Sequence, residues 1–343
     1  MMPVASLHAV NASRDRLLRP PLALALALLF ACALPFTISN YQVFQATLVI
    51  IQAIALLGLN LLTGYNGQVS LGHGAFSAIG AYTAAILMDR LGVPYWLTVP
   101  AAGTVCFGAG FLFGLPALRL EGTHLALATF ALGVSMPQIL KYKRVEHWTG
   151  GVQGITLQKP DAPWGLPLAP DQWLYFFCLA VMLLLFACAW NFLRSHSGRA
   201  IVAIREQPIA ASSVGIDVPM YKTLTFGVSA MYTGIAGALG AVAVQFVSPD
   251  SFSVFLSISL LVGIVVGGLS SISGAIYGAI FIQFVPKLAG DISKAAPGAI
   301  YGMVLIASVY LLPTGIAGGF KTLAQHLLVR VLRSSRQHRR NHA

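Results

Sequence analysis

Seven stretches of this chain contain no Asp, Glu, Lys or Arg: 20–88, 91–118, 122–140, 172–193, 223–249, 251–286 and 295–320. Segments of that kind have little to offer water. Apolar residues make up 57% of the sequence and charged ones 9%, a balance that belongs to chains living in hydrocarbon. A helix crosses a bilayer with about 20 apolar residues, so the windows accommodate about ten spans. Their coarse placement is 20–37, 42–62, 70–88, 94–116, 122–140, 172–193, 222–246, 253–267, 273–286 and 297–313, the eighth and ninth being short. The expected architecture is an all-α, polytopic integral membrane bundle at 20–320, with polar tails at 1–19 and 321–343.

Basic residues assign the two sides. With the N-terminal tail inside, alternation puts 14 of the 21 Lys and Arg on the inner side and seven on the outer. That bias follows the positive-inside tendency, makes both termini cytoplasmic, and places 194–222 inside and 141–171 outside. Arg14, Arg16 and Arg19, followed by an apolar run reaching Ala31-Cys32-Ala33, resemble a signal peptide. The run continues to Phe36, and the alternation works with it retained as a span. A formal net charge of +11 raises nucleic acid as a partner. Six of the basic residues lie at 321–340, directly after the last span, where attraction to anionic lipid headgroups is the ordinary role. The bilayer, not nucleic acid, is the expected partner. Cys32, Cys106, Cys178 and Cys188 fall in apolar windows without metal-ligand spacing and read as small buried hydrophobes.

Several chemistries are missing. No G-x-x-x-x-G-K-[ST] loop occurs, so ATP is not bound by that route. Gly108-Ala109-Gly110 lies inside an apolar span, not at a strand-to-helix turn. There is no H-E-x-x-H, G-x-S-x-G or Cys-x-x-Cys, and neither metal nor cofactor is expected. Ion-coupled carriers commonly keep an acid at membrane depth. Here Asp89, Glu121, Glu146, Glu206, Asp217, Asp250 and Asp291 fall at span ends or in loops. Energy for transport is therefore expected from another polypeptide. Some carriers hold sodium with carbonyls and hydroxyls alone, which keeps an ion-coupled secondary carrier of a small neutral solute as the alternative.

The polar island at 194–222 reads RSHSGRAIVAIREQPIAASSVGIDVPMYK. Pro208 stands where a helix would begin and Gly215 where it would end. The intervening 209–214 helix is about two turns long, well short of the roughly 12–15 residues an isolated helix needs in water. An element of this size persists when something docks on it.

At 64–80 the glycines Gly64, Gly67, Gly72 and Gly74 each weaken a helix by roughly 1 kcal/mol. Breaks near membrane depth are tolerated where backbone lines a cavity or is buried in protein. One reading is a broken helix start beside a translocation path, with Asn66, Gln68, Ser70 and His73 as its polar groups. The other is close packing through Ser77, Ala81 and Ala85, spaced four apart. Glu121-Gly122-Thr123-His124 is better suited to capping a helix than to holding a metal, since two ligands lack a third. Trp148, Trp164 and Trp173 fit an interfacial aromatic belt, and the long 141–171 loop suits an external partner. Pro100, Pro137 and Pro286 should kink or end their helices.

Four segments in order, LLTGYNGQVSLGHGAFSAIGAY (61–82), WTGGVQGI (148–155), SGRAIVAIREQPIAASSVGIDVPMYK (197–222) and SPDSFSVFLSISLLVGIVVGGLSSISGAIYGA (248–279), resemble the LivM-type permease subunit of branched-chain amino-acid ABC importers. The similarity covers residues 40–320. It implies a non-catalytic permease of type II-like (BtuC-like) architecture in a bacterial inner membrane. The implied partners are a second homologous permease of the LivH type, two ATP-binding subunits and a periplasmic solute-binding protein. The island then corresponds to a cytoplasmic coupling helix. Against the Glu-Ala-Ala-x-x-x-Gly signature of ABC importers, Ala210, Ala211 and Gly215 match, while Ile209 replaces the Glu. Charged contacts accordingly fall to Arg199, Arg205 and Glu206. By the same resemblance Asn66, Gln68, Ser70, Gly72, His73 and Gly74 border the path, and Trp148, Thr149, Gly150 and Gly151 receive the binding protein. Relatives of this kind carry leucine, isoleucine and valine, and similar permeases take other amino acids, urea or short amides. A third reading, an intramembrane enzyme, requires His73, His124 and Glu121 to converge.

Overall fold

The computed structural model describes residues 20–117, 122–162, 168–292, 297–311 and 314–319. The two tails, with the basic cluster at 321–340, and also Glu121 and Trp164, lie outside the described residues. Helices dominate. The first five are α1 (Pro20–Thr37), α2 (Asn40–Leu59), α3 (His73–Leu91), α4 (Tyr95–Ala117) and α5 (Thr123–Leu140). A short α6 (Glu146–Thr149) and strand β1 (Ile155–Thr156) follow. Next come α7 (Pro170–Arg194), α8 (His196–Glu206), α9 (Pro208–Ser213) and α10 (Val218–Val244). Strand β2 (Phe246–Val247) leads into α11 (Val254–Gly267), α12 (Ile272–Ile292) and α13 (Pro297–Leu311).

Among the described residues six helices are long and apolar enough to cross a membrane: Asn40–Tyr65, Tyr95–Pro116, Thr123–Leu140, Pro170–Arg194, Val218–Val244 and Ile272–Asp291. Shorter apolar helices stand at Leu28–Thr37, Val254–Gly267 and Gly298–Ser308. Each of the ten sequence windows holds a helix, but fewer than ten reach the length and composition of a full crossing. Pro100, Pro137 and Pro286 each lie inside a helix that continues past them. Each of these prolines removes the i→i−4 bond that an N–H at its position would make.

The interior is organised on α2 and α10. Within their best windows 72% and 78% of residues are buried, against 22% for α7. Lipid tails are as apolar as Leu, so packing in a bilayer depends on close contact between small residues. A Cβ on Gly80 of α3 would sit 2.0 Å from the Gly234 carbonyl oxygen, and one on Gly234 would sit 2.2 Å from Cys106 Sγ of α4. The backbones of α3, α4 and α10 therefore touch. Hydroxyls buried along α10 bond back to their own helix, Thr225 Oγ1 to the Tyr221 carbonyl at 2.7 Å and Thr233 Oγ1 to the Ser229 carbonyl at 3.1 Å. That is how polar groups are kept satisfied without water.

The helical run of α2 continues as a π-turn, Asn60–Tyr65, and then breaks; residues 66–72 are not helical and α3 begins only at His73. The Asn60 amide holds this end. Its Nδ2 donates to the Ser271 carbonyl at 2.8 Å and its Oδ1 accepts from the Ser270 N–H at 3.0 Å.

Gly234→Leu is expected to cost about 1–3 kcal/mol by overpacking, read as a lower Tm in detergent. Gly108→Leu, where an added Cβ meets nothing within 4 Å, should leave Tm unchanged or slightly higher. Equal behaviour of the two variants would contradict the close contact.

Candidate coupling and translocation sites

The polar island folds as two short helices joined at Gln207. Pro208 occupies the first turn of α9. At the other end Gly215 takes φ +83, a left-handed conformation that only glycine adopts without strain. Its N–H donates to the Ser212 carbonyl at 3.0 Å, and the Ile216 N–H donates to the Ala211 carbonyl at 3.1 Å. This paired arrangement is a Schellman cap. Ala211 is 4% exposed and seats α9 against α8 and α10. Ile209 is 83% exposed and Val214 77%. Ala210, Glu206 and Arg199 are exposed as well. A small rigid helix thus presents two aliphatic side chains to its surroundings, the pattern of a contact surface.

Arg205 turns the other way. Its Nη1 donates to the Gly64 carbonyl at 2.6 Å and also bonds Ser270 Oγ. Ser270 Oγ in turn donates to the same carbonyl at 2.6 Å. One guanidinium therefore ties α8 to the end of the α2 run and to the α11–α12 connection. Beside it lies a cavity of about 200 Å³, lined among others by Asn66, Gln68, Arg205, Pro208 and Lys222. Asn66 is 3% exposed, and neither of its side-chain polar atoms has a partner among the described residues; Gln68 Oε1 also lacks one.

The rest of the 66–74 segment is packed inside protein. Ser229 Oγ lies 2.6 Å from the Gly58 carbonyl, which takes its proton. Ser229 Oγ then accepts from His73 Nε2 at 2.7 Å, leaving Nδ1 to accept from Ser70 Oγ at 3.0 Å. Ser70 Oγ itself accepts from the Gly72 N–H at 3.3 Å. The Gly74 N–H donates to Ser257 Oγ at 2.8 Å and the Leu71 N–H to Thr129 Oγ1 at 3.0 Å. His73 is thus a relay point joining α2, α3 and α10. His124 is exposed on the first turn of α5, and no bond or ring contact joins it to His73 among the described residues.

At the opposite end of the bundle the 141–162 loop is built as a knot. Thr149 is 5% exposed, and its Oγ1 donates to the Leu140 carbonyl at 2.7 Å. Gly150 and Gly151 take positive φ and carry the chain into β1, which pairs antiparallel with β2 in the register Ile155↔Val247. The Arg90 Nη2 donates to the His147 carbonyl at 2.8 Å, and Lys141 pairs with Asp250 at 2.5 Å. Trp148 and Val152 remain exposed. Of the four loop residues singled out by resemblance, Trp148 offers side-chain surface and Thr149 braces the turn from inside.

The sequence reading missed a set of amides. Gln52 Nε2 on α2 donates to Gln283 Oε1 on α12 at 3.0 Å, and Gln283 Nε2 donates to Gln45 Oε1 at 2.5 Å. All three lie in charge-free windows. Uncharged polar residues at mid-span were the available signal.

The model of one protein family, described as branched-chain amino acid transport system / permease component, matches residues 42–311. The high-affinity branched-chain amino acid transport system permease protein LivM of Escherichia coli (strain K12) is 35% identical over 312 residues, covering 84% of this chain and 73% of that one. Its counterpart from Salmonella typhimurium is 34% identical, covering 82% and 72%. The probable branched-chain amino acid transport permease protein LivH of Methanocaldococcus jannaschii is 24% identical, covering 81% and 92%. The solved structure of PsaBC from Streptococcus pneumoniae in complex with Fab superposes with a TM-score of 0.38 at 12% identity, over 80% of this chain and 90% of that chain, which carries no argument about architecture.

His73→Leu would leave the buried Ser70 O–H without its acceptor, while Ser229 Oγ keeps its bond to the Gly58 carbonyl. The expected loss is about 1–3 kcal/mol for that unsatisfied group, seen as a lower Tm of the detergent-solubilised protein. An unchanged Tm would mean that the relay contributes nothing to packing.

Proposed function

The chain belongs to the family of branched-chain amino acid transport permeases, and from that premise we propose that it is the translocation subunit of an ATP-driven importer for branched-chain or other small neutral amino acids. The observation that carries this reading is α9: a capped helix of six residues with Ile209 and Val214 exposed, set between the spans α7 and α10. An apolar tip of that size gains nothing from water and fits a groove on a partner. ATP hydrolysis then belongs to two separate ATP-binding subunits. A second, homologous permease and a periplasmic solute-binding protein complete the assembly. The chain sits in a bacterial inner membrane with about ten crossings in a type II-like bundle, both termini cytoplasmic, and the island on the cytoplasmic side.

In this mechanism the ATPases grip Ile209, Ala210 and Val214, with Arg199 and Glu206 at the rim. Movement of α9 carries α8 with it, because buried Ala211 and the capped turn at Gly215 leave little slack between them. Arg205 passes the displacement to the Gly64 carbonyl and to Ser270. Both flank the cavity at Asn66 and Gln68, which forms the inner mouth of the path. Ser70, Gly72, His73 and Gly74 are the stiff wall behind it, since each is buried and their polar groups are held by α2, α10 and α11. On the periplasmic side Trp148 meets the binding protein, with Thr149, Gly150 and Gly151 fixing the shape of that surface.

Ile209→Asp is expected to lower ATP-driven leucine uptake in proteoliposomes of the whole importer about tenfold or more, as loss of a buried interface anchor does, with membrane insertion and Tm unchanged. Uptake at the wild-type rate would remove the coupling role. Affinity purification should recover two ATP-binding chains and a sister permease; full uptake by this chain alone in ATPase-free vesicles would establish an ion-coupled carrier instead. Arg205→Ala should leave the ATPases bound while uptake falls, and normal uptake would sink its part as the internal strut.

A further inference from the structure

Gln52 lies halfway along the 26-residue span Asn40–Tyr65, where a polar side chain is costly and usually functional. Amide pairing accounts for its Nε2 but leaves Oε1 buried and without a partner among the described residues. Two cavities meet at this atom's side chain. One, of about 250 Å³, reaches Val247, Ser251 and Phe252 beside the β1–β2 pair. The other, of about 370 Å³, lies among α2, α11, α12 and α13 and is lined by Leu256, Leu260, Ile282, Gly298 and Tyr301. Gln52, Leu256 and Leu260 belong to both. The Tyr301 hydroxyl is a second buried polar atom without a partner among the described residues. Gly298 and Tyr301 are three residues apart at the start of α13, so they share a face of its first turns. That is the positive end of the helix dipole.

An unclaimed acceptor, an unclaimed donor beside a helix N-terminus, and aliphatic walls between them match the groups of a small aliphatic amino acid. We propose that this paired cavity is a solute station within the translocation path, specific for a zwitterionic α-amino acid. The ammonium donates to Gln52 Oε1. The carboxylate accepts from the Tyr301 O–H and sits at the N-terminal end of α13. The side chain rests on Leu256, Leu260 and Ile282. Among the described lining residues none carries a full charge, so the site holds the solute loosely, as passage requires. The inference rests on the importer reading above and goes beyond it by naming the contacts.

The test uses the complete importer in proteoliposomes, with saturating binding protein and L-leucine as the probe. Tyr301→Phe keeps the ring and removes only the hydroxyl; Gln52→Leu removes the acceptor. Each is expected to lower the maximal uptake rate about tenfold, the size of one hydrogen bond to a charged group, while ATP hydrolysis stimulated by the loaded binding protein persists. L-leucine at millimolar concentration should also slow maleimide labelling of Leu260→Cys, and isobutyramide, which lacks both charges, should not. Gln45→Leu breaks the amide ladder away from the cavity. If it impairs uptake as much as Gln52→Leu while Tyr301→Phe is harmless, the amides serve packing and the station is overturned. If the wild-type importer carries leucine and both cavity variants match it, the station falls and the importer reading stands. If the wild-type assembly carries no amino acid, both fall.

Discussion

Hydrocarbon offers no hydrogen bonds, and that constraint is the one from which the rest of this structure follows. Every backbone and side-chain polar group at depth has to be answered by another part of the protein. Asn60 is answered by Ser270 and Ser271, His73 by Ser70 and Ser229, and the Gly74 N–H by Ser257. Apart from the local Ser70–His73 bond, each answer joins residues far apart in the chain. Polar groups in this protein are therefore its long-range fasteners, and apolar side chains fill the space between them.

The same constraint makes the exceptions informative. Asn66, Gln68, Gln52, Tyr82 and Tyr301 keep buried polar atoms that nothing among the described residues answers. All but Tyr82 lie against the cavities described above. Two of these cavities meet at mid-span, and the third lies at the island end. Uncompensated groups gathered along open space are what a path for a polar solute needs, whereas a bundle made only for packing would have paired them off or replaced them with Leu.

Arg205 links that interior to the surface. Coming from the island, it inserts between the end of the α2 run and the α11–α12 connection, and a single carbonyl, that of Gly64, receives both the guanidinium and Ser270 Oγ. In the proposed mechanism this joint passes displacement inward, because two hydrogen-bond donors share one carbonyl. The helix α9 is suited to the outer end of this lever: Gly215 and Pro208 fix where it begins and stops, and its exposed apolar residues have no use in water.

Much of the helical layout could be read directly from the chain. Charge-free windows mark helices because a backbone in hydrocarbon must bond to itself locally, and Pro208 and Gly215 mark α9 because φ restrictions act within a residue or two. The break at 66–72 was legible from its glycines for the same reason, and the four motifs in order were enough to point to the permease family. Partners were not legible. Ser229 lies 156 residues from His73 and Ser270 lies 65 from Arg205, and no local rule couples positions so distant. Sequence put Arg205 among the outward contacts but could not show that this exposed residue also bonds the Gly64 carbonyl and Ser270; it passed over Gln52 because an amide is inconspicuous until a cavity forms around it. What a residue prefers for its own backbone and solvent is written along the chain, but what it touches is decided only when helices dock, since contact depends on the packing of all of them together.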